Sequence, residues 1–181
     1  MSENISLYSK EGFEFNKIKE NNYKLVFDIE NQNIVLPKIV DFSLLKLIYE
    51  LNKDIYENSN LTIINENEAI SMLLIKNLFE DLGLHQRFSY IKIEKVVSEN
   101  NILFISKSIK TSRPEGIPIC AKLLPINIML CNVSIINSHK INFCCDITFD
   151  DEMIVPKFAE QIVGVILFKI FKRVKQFIEN I

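Results

Sequence analysis

Apolar and polar positions alternate through residues 22–30: Tyr23, Leu25, Phe27 and Ile29 take one face, and Lys24, Asp28 and Glu30 the other. Period-two alternation predicts a half-buried strand. Phe13 and Phe15 predict a partner strand before it. The turn residues Asn31, Gln32 and Asn33 lead into a third strand over 34–40, where Pro37 implies an edge or a bulge.

The pattern then shifts to a helical period. Asp41 is placed to cap a helix over 41–57, with Leu44, Ile48, Leu51 and Ile55 on one face. After a short apolar run at 61–64, Asn65, Glu66, Asn67 and Glu68 resemble a capping box, and Gly83 resembles a left-handed stop. Between them Ile70, Leu73, Leu74, Leu78, Phe79 and Leu82 predict the broad apolar face of a second helix, 65–83.

Strands return in the second half. Residues 88–97 and 102–111 predict an antiparallel pair, 119–124 and 126–136 two further strands, and 140–150 a last one. In the last, Ile141, Phe143, Cys145, Ile147 and Phe149 share a face; in its predecessor Met129, Cys131, Val133 and Ile135 do. Both faces meet one core only if paired residue numbers sum to an even value. A three-residue loop, Asn137, Ser138 and His139, then pairs Cys131 with Cys145 and Val133 with Phe143. Pro156 suits the first turn of a long final helix to about Glu179, which is apolar almost all round between Ile162 and Phe171.

Composition narrows the function classes. The chain has 181 residues, 48% hydrophobic and 24% charged, with a formal net charge of −2. These are globular values, and the near-zero charge argues against a nucleic-acid partner. Thirty Ile, nineteen Asn and eighteen Lys against three Ala and three Arg mark an A/T-rich genome, so Asn runs are not read as adaptations. The longest apolar stretch, 162–168, falls short of the roughly 20 residues of a membrane span. With no signal-like opening, four cysteines are expected as reduced thiols of a soluble intracellular protein.

Candidate chemistry is sparse. Cys131, His139, Cys144 and Cys145 lack the paired knuckles of a zinc site, so no metal is expected. His85 and His139 fall in loops, and no nucleophile, metalloprotease or phosphate-loop motif is present, so no catalytic residue or cofactor is assigned. Asp150, Asp151 and Glu152 suit the start of the last helix. Lys169, Lys172 and Arg173 form a basic stripe on that helix, a candidate contact for an anionic surface. Its apolar girth is the oddest feature. A helix on one sheet needs one stripe, so Val163, Ile166, Leu167, Ile170 and Phe171 are the candidate lining of an interface or a pocket. Ile162, Ile166 and Ile170 are expected on the sheet, with some of Val163, Leu167 and Phe171 turned to another helix, a partner or a ligand.

The expected architecture is a single α+β domain over 1–181. It has about seven mostly antiparallel strands, two central helices and one long C-terminal helix on the sheet. From residue 41 onward this order resembles the helix-grip fold, in which a curved antiparallel sheet wraps a C-terminal helix; a longin- or roadblock-like α/β arrangement is the rival. The first functional expectation is a non-enzymatic interaction or scaffold protein, packing its apolar helix face or sheet edge on a partner or a second copy. The alternative is a module holding an apolar small molecule or lipid between sheet and final helix, and an enzyme comes third.

Overall fold

The computed structural model describes residues 4–78 and 80–181, which form ten strands and two α-helices. The order is β1 (Ile5–Lys10), β2 (Phe13–Lys19), β3 (Asn22–Glu30), α1 (Phe42–Leu51), β4 (Tyr56–Asn65), β5 (Glu68–Ile75), β6 (Arg87–Val97), β7 (Asn101–Ser108), β8 (Lys122–Leu123), β9 (Ile126–Asn137), β10 (Lys140–Phe149) and α2 (Lys157–Glu179). One sheet runs β1-β2-β3-β10-β9-β7-β6-β5-β4, and the short β8 pairs parallel with β6. The leading strands β1–β3 continue the sheet through the β3–β10 pairing, so they are part of the grip and not an addition to it.

The sequence reading of β3, β6, β7, β9, β10 and α2 agrees with these bounds to within a few residues. The hairpin register holds too: Ile141 pairs Ile135, Phe143 pairs Val133, Cys145 pairs Cys131 and Ile147 pairs Met129. The tip differs in form. The turn holds Ser138 and His139, and Lys140 pairs Asn137 across a one-residue register shift. The shift does the work assigned to a third loop residue and keeps both apolar faces inward.

Three expectations are corrected. Residues 65–83 are not a helix. Asn65 to Glu68 is the tip of the β4–β5 hairpin, with Asn67 N–H donating to Asn65 Oδ1 at 2.8 Å and Asn65 Nδ2 to Glu68 Oε2 at 3.0 Å. Asn and Glu serve a turn here as they would a helix start. β5 is covered on both faces: Ala69, Ser71, Leu73 and Ile75 face the sheet's concave side, while Met72 and Leu74 join Phe88, Ile117 and Ala121 under the 109–121 loop on the convex side. A strand buried on both faces reads as a continuous apolar run, which periodicity alone does not separate from a helix. Of the side chains assigned to that helix, Phe79 lies outside the described residues. Gly83 does take a positive φ of 70°, but after a 3-10 turn, Glu80–Leu82.

The second correction is the third strand, which is a 3-10 turn, Leu36–Ile39, with Pro37 in its opening turn. Leu36 N–H donates to Ser138 O at 2.8 Å, and the Leu36 side chain is fully buried. The third is the end of the first helix. Asp41 caps α1 as expected, its carboxylate accepting from Ser43 N–H at 2.7 Å. The helix stops at Leu51, however, because the buried Asn52 turns its amide back to Ile48 O at 2.8 Å.

Candidate functional site

α2 lies across the concave face of the sheet. Val163, Leu167, Ile170, Val174 and Ile178 are spaced i, i+4, i+7, i+11 and i+15, one stripe of a helix. Along this stripe exposure falls from 36% at Val163 to 5% at Ile170, 2% at Val174 and 1% at Ile178. Ile166 beside it is half-buried, as is Leu167. Of the trio expected on the sheet, Ile170 is buried in the core and Ile166 packs partly against it, while Ile162 is turned too far round the helix to join them. Phe171, placed among the residues turned elsewhere, packs on the sheet with ring centroids 5.3 Å from Phe27 and 5.4 Å from Phe143. The helix angle follows from Gly164, where an added Cβ would lie 3.0 Å from both Phe15 Cδ1 and Tyr8 Cβ. Only a glycine lets the backbone come this close to β1 and β2. The outward positions Phe158, Val165 and Phe177 stay exposed.

The sheet repeats the gradient. At one end Ile29, Ile93, Ile102, Val133 and Ile141 are closed under α1 and the C-terminal half of α2, all at 5% exposure or less. Toward the other end, on the same concave face, Tyr23 and Ile126 are buried, but Leu73, Ile75, Met129, Cys145, Ile147 and Phe149 keep accessible surface although β9 and β10 are central strands, as Ile135 and Phe143 also do at the first end. The grip thus has a closed end, filled by aliphatic packing, and an open end below the N-terminal half of α2. Between them the rings of Tyr8, Phe13, Phe27, Phe143, Phe168 and Phe171 form one contact chain that joins the helix to β1, β2, β3 and β10.

Polar groups are set into this apolar surface. Glu160, in the first turn of α2 and 5% exposed, accepts at Oε1 from Lys17 Nζ at 2.8 Å and from the Tyr23 hydroxyl at 2.7 Å. Burial, reinforced by the Glu160 carboxylate, pushes the Tyr23 phenol well above its ordinary value. Lys17 is raised chiefly by its hydrogen bond to Glu160. This cluster pins the start of α2 to β2 and β3. Across the grip the Tyr49 hydroxyl of α1 meets Ser71 Oγ at 2.6 Å, and Tyr56 stands beside Tyr49 with ring centroids 6.0 Å apart. Burial raises both phenols. Ser89 and Ser106 continue the inward row of hydroxyls on β6 and β7, both buried.

The basic stripe is matched by acids. Arg173 clasps Asp54 with Nη1 at 2.5 Å and Nη2 at 2.9 Å, Lys169 reaches the same carboxylate at 3.0 Å, and Lys172 pairs Glu11 at 2.7 Å. The Arg173 and Lys169 hydrogen bonds hold the Asp54 carboxyl well below the usual carboxylate range. Each pair ties α2 to a neighbouring element.

The cysteines divide as the register requires. Cys131 and Cys145 face inward with sulfurs 2.9 Å apart, while Cys144 is on the other face. No cluster of metal-ligating side chains occurs among the described residues. His139 bridges two backbone carbonyls, Asn31 O at 3.0 Å and Ile34 O at 2.9 Å, and joins the hairpin tip to the turn after β3. No helix among the described residues is long and apolar enough to cross a membrane.

Sequence reasoning missed Glu160, Tyr23, Tyr49, Tyr56, Ser71, Ser89 and Arg87. Only Tyr23 and Ser89 carried a readable signal, as inward positions of strands that the alternation identifies; Arg87 lies one residue before the strand read over 88–97. Tyr49, Tyr56 and Ser71 were assigned to helices or left between them, so their common face was invisible.

No protein-family model and no curated protein matches the sequence. Solved structures do. The lipid transfer and protein localization domain of human StarD13 superposes with a TM-score of 0.68 at 10% identity, over 97% of this chain and 89% of that one. A STAR-related lipid transfer protein fragment from Xanthomonas axonopodis gives 0.66 at 10% identity, over 94% and 96%. Human STARD10 gives 0.62 at 10% identity, over 93% and 70%. At such identities the likeness concerns the fold, and it decides between the two architectures read from the sequence: the chain has the helix-grip fold seen in the StAR-related lipid transfer proteins.

Proposed function

We propose that the chain is a binding module for an apolar small molecule or lipid, held at the open end of the grip between the concave sheet and the N-terminal half of α2. The exposure gradient along one inward stripe of α2, from Val163 to Ile178, carries this reading. A scaffold that needed only a stable core would fill both ends alike, since apolar surface left accessible forgoes about 25 cal/mol per Å². Two of the structural neighbours, those of StarD13 and Xanthomonas axonopodis, have lipid transfer in their names and support the same reading. Leu73, Met129, Ile147, Val163, Ile166 and Leu167 supply the apolar walls, and no bond-making group is required. This places the ligand-binding alternative ahead of the interaction protein expected first.

Native mass spectrometry tests it directly. The purified protein, or the stripped protein offered palmitate or cholesterol, is expected to carry added mass that is lost on denaturation. Leu167→Asp should abolish that mass while the protein remains folded. A protein that stays at its bare mass with every probe, or a dimer that Leu167→Asp dissociates, would return the scaffold reading.

A further inference from the structure

The chain has three arginines, and they are treated differently. Arg173 is bidentate on Asp54. Arg113 donates to Pro118 O at 2.7 Å and Ala121 O at 3.1 Å and stacks over Phe88. Arg87 has neither a carboxylate nor an aromatic ring as partner among the described residues. Among the described residues its guanidinium reaches one carbonyl, Leu123 O, at 3.5 Å, and it pairs with no carboxylate. Yet Arg87 is half-buried, and desolvation lowers its pKa from the ordinary value. A guanidinium stays charged in proteins, and a partly desolvated charge without a counter-ion is unfavourable.

Its position is fixed by strand alternation. Phe88 points into the convex cluster and Ile91 and Ile93 into the main core, so Arg87 and Ser89 lie on the concave face. The parallel pairing of β8 sets Lys122 directly beside Arg87, on the same face and, among the described residues, likewise without a carboxylate. On the other side Phe88 pairs Leu74, the next residue, Ile75, pairs Tyr56, and the Tyr56 hydroxyl makes no hydrogen bond among the described residues. The acid at that edge, Glu57, is engaged by Gln86 Nε2 at 2.7 Å. Two cations and a free phenol therefore stand in one row at the open end, next to its apolar walls.

We infer that the ligand is an amphiphile with one acidic group, a carboxylate or a phosphate, which the Arg87 fork grips with Lys122 beside it while the apolar tail lies along the open end. The planar fork matches two oxygens of such a group, and the lysine adds a second charge. The inference deepens the apolar-ligand reading above and rests on it.

The test compares palmitate, palmitoyl lysophosphatidate, hexadecanol and inorganic phosphate by calorimetric titration of the stripped full chain. Palmitate or the lysophosphatidate is expected to bind about ten- to a hundredfold more tightly than hexadecanol, the range of one charge-assisted contact. Arg87→Gln should erase that preference and leave hexadecanol affinity unchanged, with the melting temperature as a check on folding. Lys122→Gln, at an exposed position, should weaken acidic-amphiphile binding about threefold and gives a reading independent of how Arg87→Gln folds. Equal affinity for hexadecanol and both acids, or a preference that survives Arg87→Gln, overturns the inference but leaves the apolar-ligand reading standing. Binding of no amphiphile overturns both. Phosphate binding that Arg87→Gln abolishes, with palmitate and hexadecanol bound equally, makes Arg87 a free-anion site and overturns the amphiphile.

Discussion

Val163 and Ile178 look down at the same sheet from the same stripe of α2, the first 36% exposed and the second 1%. Around Ile178 the sheet offers Ile29 and Ile141, and the turn after β3 adds the fully buried Leu36. Toward the other end of the sheet Met129, Cys145 and Ile147 are partly accessible, and the start of α2 is held by the polar cluster of Glu160, Lys17 and Tyr23. The closed end supplies stability, while the open end leaves apolar surface accessible, and it is there that the proposed ligand would lie. Close packing of an interior makes the first intolerant of change, and the second should tolerate it.

The sharpest break of this comparison is a charge at each end. Val174→Asp should destabilise by more than about 4 kcal/mol or prevent folding, because the carboxylate has no partner there. Val163→Asp should cost less than about 1 kcal/mol in urea denaturation but weaken amphiphile binding. Equal losses at both sites would erase the distinction between the ends.

The hinge between the two ends is Gly164. Gly164→Ala sets a methyl against Phe15, which is 3% exposed and cannot retreat, and against Tyr8 on the edge strand β1. Overpacking costs about 1–3 kcal/mol, partly offset by the about 1 kcal/mol that alanine gains in a helix. A net loss of stability is expected, and a net gain would mean that β1 moves away freely. A smaller effect belongs to Asp41→Ala, about 1 kcal/mol through loss of the α1 cap.

Alkaline pH separates the phenols from the aliphatics. Tyr56 has its folded pKa raised by burial above the ordinary 10.0. The stability it contributes is complete below that value and is lost as pH rises toward the folded pKa. Tyr56→Phe should therefore flatten the fall in stability above pH 10 and leave neutral pH nearly unchanged; an unaltered alkaline profile would place the Tyr56 hydroxyl in water. The effect smallest in energy is kinetic. The hydrogen bond with Cys131, with burial after it, pushes the Cys145 thiol up, whereas Cys120 is exposed. Ellman's reagent should modify Cys120 first and Cys145 slowly, and a bound amphiphile should slow Cys145 further.

Much of the closed end was legible in the sequence. The alternation in β3, β9 and β10 specifies which side chains face inward, and the even-sum condition specifies how β9 and β10 pair. The open end was less so. β5 carries apolar residues on both faces because a loop distant in sequence covers its convex side, and that cover has no local signature. Once β5 was read as helix, Ser71 had no face, and Tyr49 and Tyr56 had no common neighbour. Arg87 stood one residue outside the strand read over 88–97, and its lack of a counter-ion is a statement about every described carboxylate in the chain.

The sequence by itself determined the alternating strands, the register of the last hairpin, the Asp41 cap and the long final helix, since each depends on residues within a turn or two of one another. Tertiary structure decided the rotation of α2, because a single close approach at Gly164 to β1 and β2, far away in sequence, sets which stripe faces the sheet. It also decided where the interior is left unfilled. Local pattern fixes the direction of a side chain, but whether the space it points into is occupied depends on all the elements that converge there.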